Sequence, residues 1–93
     1  MNIRFYFDPE TDLPHIYRHG VYEDEVEDVL RNPVEDRSGQ EGSRIAIGQT
    51  QAGRYIRIIY VPDQDLDSAF VITAYELKGK PLTAYRRRRR HGR

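Results

Sequence analysis

The sequence predicts an α+β domain: a twisted antiparallel sheet with helices packed on one face. Two patterns carry that expectation. Between Ser43 and Leu77, apolar residues recur at every second position in three segments separated by turn residues. Before them, between Pro14 and Asn32, apolar residues fall three and four apart, and after them Lys80-Pro81-Leu82 opens a basic helical stretch. The 93 residues suit one domain, with a basic C-terminal helix or tail from about residue 80.

Taken in order, Asn2 to Phe7 is rich in aromatic residues and reads as a strand that stops at Asp8-Pro9. Pro14 to His19 reads as a short helix ended by Gly20, because proline is tolerated at a helix start and glycine at its end. Tyr22 to Asn32 is a second helix. Val26, Val29 and Leu30 form its apolar stripe, acids cluster early, Arg31 comes late, and Pro33 stops it. Val34 to Arg37 is an edge strand. Ser43 to Thr50 and Arg54 to Val61 form a hairpin around Gln51-Ala52-Gly53, and Pro62 closes it. The loop 63–68 is polar and acidic, and Ala69 to Leu77 is the last strand.

The net charge of zero hides a division. Residues 1–77 hold 7 Lys/Arg against 15 Asp/Glu, whereas residues 78–93 hold 8 Lys/Arg and no acid. That split points to a polyanion-binding or partner-binding end, the plainer reading being a solubilising tail. There is no cysteine, so neither disulfides nor thiolate metal sites are available. No apolar run reaches the roughly 18–20 residues of a membrane span, and the N-terminus lacks a signal-peptide core. The cytoplasm is the expected location.

Strand parity locates the candidate chemistry. If Ile45, Ile47, Ile56, Ile58, Tyr60, Phe70 and Ile72 face the helices, the opposite face carries Arg44, Tyr55, Arg57, Thr73 and Tyr75, with Ile59 and Val71 among them. Arginines fork onto phosphates and tyrosine rings stack on unpaired bases, so this face suits an RNA strand. Cross-strand Tyr–Arg pairs on a solvated face are the other reading. His15 and His19 stand four apart, but no acid is placed as in a zinc-protease motif, and metal binding is not expected. His19 offers either a helix-end contact or an acid–base group near neutral pH.

Phe5-Tyr6-Phe7-Asp8-Pro9, then Arg18-His19-Gly20-Val21 and the acidic helix to Asn32-Pro33, resemble the BrnT family of bacterial toxins. Ile45 to Thr50, Gly53-Arg54-Tyr55, Ile72-Thr73-Ala74 and the arginine-rich end continue the likeness in the same order. The resemblance implies a RelE/BrnT-like fold and cofactor-free, metal-independent cleavage of messenger RNA. It also implies a small antitoxin partner, usually of ribbon-helix-helix type. Arg18-His19 match the family's Lys-His and Gly53-Arg54 its Gly-Arg. Tyr75 stands where the family usually has an arginine, and Lys78 to Leu82 is an untypical insertion.

Together these readings name Arg57, Tyr75 and His19 as candidate catalytic residues. Arg44, Arg54, Tyr55, Lys78, Lys80, Arg86, Arg87 and Arg90 are candidates for holding RNA. The alternative, from another class, is a non-enzymatic module whose basic helix binds RNA or an acidic protein.

Overall fold

Aromatic and β-branched residues open the chain as strand β1 (Asn2–Phe5) in the computed structural model, which describes residues 2–64 and 67–91. Two short strands, β2 (Phe7–Asp8) and β3 (Leu13–Pro14), then pair with each other. A 3-10 helix, His15–His19, ends at Gly20, whose φ of 69° lies in the left-handed region that favours glycine. Helix α1 (Glu23–Arg31) follows. Its first-turn acids and last-turn arginine suit the helix dipole, and Glu25 accepts the Tyr22 backbone N–H at 3.1 Å. Strands β4 (Glu35–Ser38), β5 (Arg44–Gln49), β6 (Tyr55–Pro62) and β7 (Ser68–Glu76) lead to helix α2 (Gly79–His91). Of the loop expected over 63–68, residues 65 and 66 lie outside the described residues.

The α+β class holds, with two corrections to the arrangement. The five-stranded sheet runs β1-β7-β6-β5-β4, and β1 lies parallel to β7, so the sheet is mixed rather than antiparallel. The helices also occupy both faces. Ile16 and Val21 and the α1 residues Val26, Val29 and Leu30 bury one face of the sheet, over Ala46, Ile56, Ile58, Val71 and Ala74. On the other face Tyr85 of α2 is buried with Ile47 and Leu77, flanked by Tyr55 and Leu82.

This two-sided cover changes the parity. Ile56, Ile58 and Tyr60 face α1 as expected. In β5, however, it is Ala46 that faces α1, in register with Ile58, while Ile47 pairs with Arg57 and lies under α2. The reason is close approach. A Cβ on Gly48 would stand 3.1 Å from a Val29 methyl, so α1 rides on the small residues of β5. Ile45, two residues before Ile47, shares its face and is half-buried. In β7 the register slips by one opposite Ile59 and Tyr60, a bulge at Ile72. Beyond the slip Val71 takes the core position, Phe70 turns to the α2 side of the sheet, and Ile72 is left 36% exposed.

Helix α2 is therefore structural at its start and free at its end. Arg88 donates to both Glu35 carboxylate oxygens at 3.0 Å, an exposed pair worth about 1 kcal/mol or less. Truncation after Tyr85 is expected to leave a cooperative thermal transition. Tyr85→Ala, which empties the second cluster, is expected to cost about 3 kcal/mol. Thermal unfolding of the two variants checks both, and the reverse order of effects would make the arginine run the structural part.

Among the described residues no helix is long and apolar enough to cross a membrane.

Candidate functional site

The site forms where β1 ends. β1 pairs only with Ser68 to Val71, so the rest of the β7 edge is open to the 3-10 helix, which packs against it. Ile16, fully buried, pins that helix to the core. His19, its last residue, then reaches Tyr75, with ring centroids 6.0 Å apart. Tyr75 is in register with Arg57 on β6, whose guanidinium carbon lies 5.9 Å from the tyrosine ring centroid. Three residues far apart in sequence, His19, Arg57 and Tyr75, thus meet at one edge of the sheet.

The polar atoms behind them are unusual. Arg57 Nε and Thr73 Oγ1 are buried and have no hydrogen-bond partner among the described residues. Leaving such an atom unpaired costs on the order of 1–3 kcal/mol, so native folds rarely keep one without use. The guanidinium therefore retains donor capacity for an anion, and it sits beside a phenol and an imidazole that exchange protons.

Behind His19 the ring contacts continue. His15 meets His19 edge-on at 5.4 Å, and Tyr6 lies 5.9 Å beyond. His15 Nδ1 is 3.6 Å from Asp8 Oδ2. Asp8 is only 5% exposed, takes the Glu10 backbone N–H at 3.0 Å, and accepts a bond from Arg18 Nε. The Glu10 N–H, with Arg18 and His15 beside it, holds the carboxyl below its ordinary value against the upward push of burial. A carboxylate with a lowered folded pKa stabilises the fold above its ordinary pKa near ~4, and that contribution is lost as pH falls through the lowered value. Acidification below about pH 4 is thus expected to loosen the Asp8 turn and 3-10 helix before the β5–β6 core. Amide exchange at Glu10, compared with Ile58, measures it, and equal protection of both down to global unfolding would contradict it.

The remaining sequence candidates fall elsewhere. Arg44 is in register with Tyr60 and so lies on the α1 side of the sheet, not beside Arg57. Its Nε donates to Asp36 Oδ1 at 2.8 Å, and Tyr60 donates to the same carboxylate at 2.7 Å. Burial and then Asp36 push the Tyr60 phenol up to about 12. Arg54 is a clamp, bonding Glu25 at 2.6 Å, Glu76 at 3.2 Å and the Gly20 carbonyl at 3.1 Å. Tyr55 does share the Arg57 face, but Tyr85 packs on it at 5.7 Å and the Arg86 guanidinium lies 5.5 Å from its ring centroid. Lys78 and Lys80 are exposed, with Lys78 3.9 Å from Glu76. Arg86, Arg87 and Arg90 project from α2.

Sequence reasoning did not connect Asp8, His15 and Tyr6 to this place. The His15–His19 spacing was the available signal, but its value depends on where the 3-10 helix docks.

Comparison with known proteins gives one match. A family model covers Ile16 to Glu76, about two thirds of the chain, a span that includes His19, Arg57 and Tyr75 but neither Asp8 nor α2. No curated protein matches the chain, and no solved structure does. The extent of the family match decides membership: the chain belongs to the family described as Domain of unknown function (DUF4258).

Proposed function

We propose that this protein is a toxin-like, metal-independent endoribonuclease of BrnT or RelE type, acting on messenger RNA in the cytoplasm and neutralised by a small ribbon-helix-helix antitoxin. The observation that carries the reading is the meeting of Arg57, Tyr75 and His19, with the Arg57 Nε buried and unpartnered among the described residues. An arginine held in that state is preorganised for a phosphate, because it gives up no protein hydrogen bond to bind one. The order of residues shared with BrnT toxins supplies the substrate class.

In this reading the ribose 2′-oxygen attacks the adjacent phosphorus as His19 takes the 2′-hydroxyl proton. Arg57 stabilises the charge that builds on the non-bridging oxygens. The bond from phosphorus to the 5′-oxygen breaks, and Tyr75 protonates the departing oxygen, since a phenol suits a general acid better than a base at neutral pH. The products are a 2′,3′-cyclic phosphate and a 5′-hydroxyl, and water later opens the cyclic ester to a 3′-phosphate. Imidazole, phenol and guanidinium together cover both proton transfers and the charge, so the scheme calls on no metal.

The test is purified protein with mixed-sequence RNA in chelator, with the terminal phosphates of any products identified. Cyclic or 3′-phosphate ends support the reading. No cleavage, with or without ribosomes, at concentrations that bind RNA would sink it. The second reading, a non-enzymatic RNA- or protein-binding module, rests on α2. That helix is seated by Tyr85 and Arg88, and it presents its other arginines as a preformed cationic surface. Growth arrest on expression in a host, relieved by a neighbouring small gene product, favours the toxin over the module.

A further inference from the structure

A groove of about 560 Å³ runs along α2, outside the His19–Arg57–Tyr75 cluster. Its sheet side is Val34, Gln49 and Tyr55, and its helix side includes Arg86, Arg89 and Arg90. These arginines stand at i, i+3 and i+4, so one helix face delivers all three guanidinium groups to the same concavity. Arg88 is different: it is paired to Glu35. Among the described residues no acid pairs with Arg86, Arg89 or Arg90. Like charges gathered around a hollow repel one another, and a bound anion relieves that repulsion.

We infer that this groove is a nucleotide subsite: it holds one base of a single-stranded RNA, with its phosphate against Arg89 and Arg90, next to the phosphate bound at Arg57. The ligand class rests on the ribonuclease reading, and three observations favour it over an acidic peptide. Tyr55 and Arg57 are two apart on the same face of β6, about 6–7 Å along the strand, so a chain crossing Arg57 passes directly into the groove. The Arg86 guanidinium already lies against the Tyr55 ring, which leaves its other face as a planar cation for a base to stack on. Gln49 donates its side-chain N–H to the Gly53 carbonyl at 3.2 Å, fixing the amide at the groove and leaving its oxygen to accept from a base amino group. The volume lies in the ordinary range of small-ligand sites, about 300–1,000 Å³.

The experiment uses the full chain and a 2′-O-methyl, single-stranded oligonucleotide, which lacks the attacking hydroxyl, so binding is read apart from cleavage. Two variants probe the groove: Val34→Trp, which fills it from an exposed position, and Arg89→Glu combined with Arg90→Glu. The first is expected to weaken binding about tenfold. The second is expected to weaken it at least about tenfold and to lower the slope of log affinity against log salt by about 2. Amide resonances of Val34, Gln49 and Thr83 should shift on titration of the wild type. Binding that shifts Arg57 and Tyr75 but leaves the groove silent, with both variants at wild-type affinity, overturns the subsite and leaves the ribonuclease reading standing. Equal affinity for inorganic polyphosphate, with the same shifts, overturns the base contact. Shifts produced by a poly-glutamate peptide and not by the oligonucleotide make the groove a protein site, which also overturns the inference. Failure of the oligonucleotide to bind anywhere overturns subsite and ribonuclease reading together.

Discussion

Arg57→Ala is expected to lower the RNA-cleavage rate about 10²–10³-fold while leaving the thermal transition close to that of the wild type. The rate effect follows from the loss of a preorganised charge beside Tyr75. The stability effect is small because the Arg57 Nε has no hydrogen bond to lose among the described residues. Removing a buried donor that is unpaired even relieves part of its desolvation cost. Arg57→Lys should rescue little, since a point charge does not reproduce the planar donor set over the tyrosine ring. Tyr75→Phe, which keeps the ring and deletes the proton, should cost about 10²–10⁴-fold on the proton-transfer role alone. If Arg57→Ala cleaves as the wild type does, the cluster is a packing feature and the chemistry lies elsewhere.

Arg54→Ala is expected to behave in the opposite way, losing stability and not intrinsic RNA contact. The Arg54 guanidinium ties the N-terminal turn of α1 through Glu25, the end of the 3-10 helix through the Gly20 carbonyl, and β7 through Glu76. Charge-assisted bonds contribute about 1.5–3 kcal/mol each, but the Arg54 side chain is 29% exposed and water screens part of that. A net loss of about 2 kcal/mol is the expected result, or a fall in Tm of about 8–16 °C for a domain of this size. RNA affinity measured well below that Tm should stay within about twofold. A large drop in affinity with an unchanged Tm would return Arg54 to the nucleic-acid surface and contradict the clamp.

The contrast between these two arginines shows how far the residues could be read in advance. Both stand in one strand, three apart, and composition treats them alike. The difference is register. Arg57 faces Tyr75 across β6–β7, whereas Arg54, at the hairpin turn, is within reach of Glu25 and Glu76. Arg44 was misplaced for a similar reason, since its face depended on which residues of β5 meet α1. Alternation of apolar residues names two faces without saying which is which, and here both faces are covered.

By itself the sequence determined the elements and their order, because periodicity, proline and glycine act locally: the 3-10 helix ending at Gly20, α1 stopping before Pro33, the β5–β6 hairpin and the basic helix after β7 all appear where the residues demand them. It also placed Tyr55, Arg57, Thr73 and Tyr75 on a common face, since each pair is two apart on its own strand and the Arg57–Tyr75 register joins the strands. Only the tertiary structure decided that β1 runs parallel to β7, that α2 folds onto the face opposite α1, and that the 3-10 helix fills the β7 edge and brings His19 to Tyr75. Those outcomes turn on non-local packing. The bulge at Ile72, the close seat of α1 over Gly48 and the burial of Tyr85 each depend on residues far apart in the chain, and no local pattern carries that information.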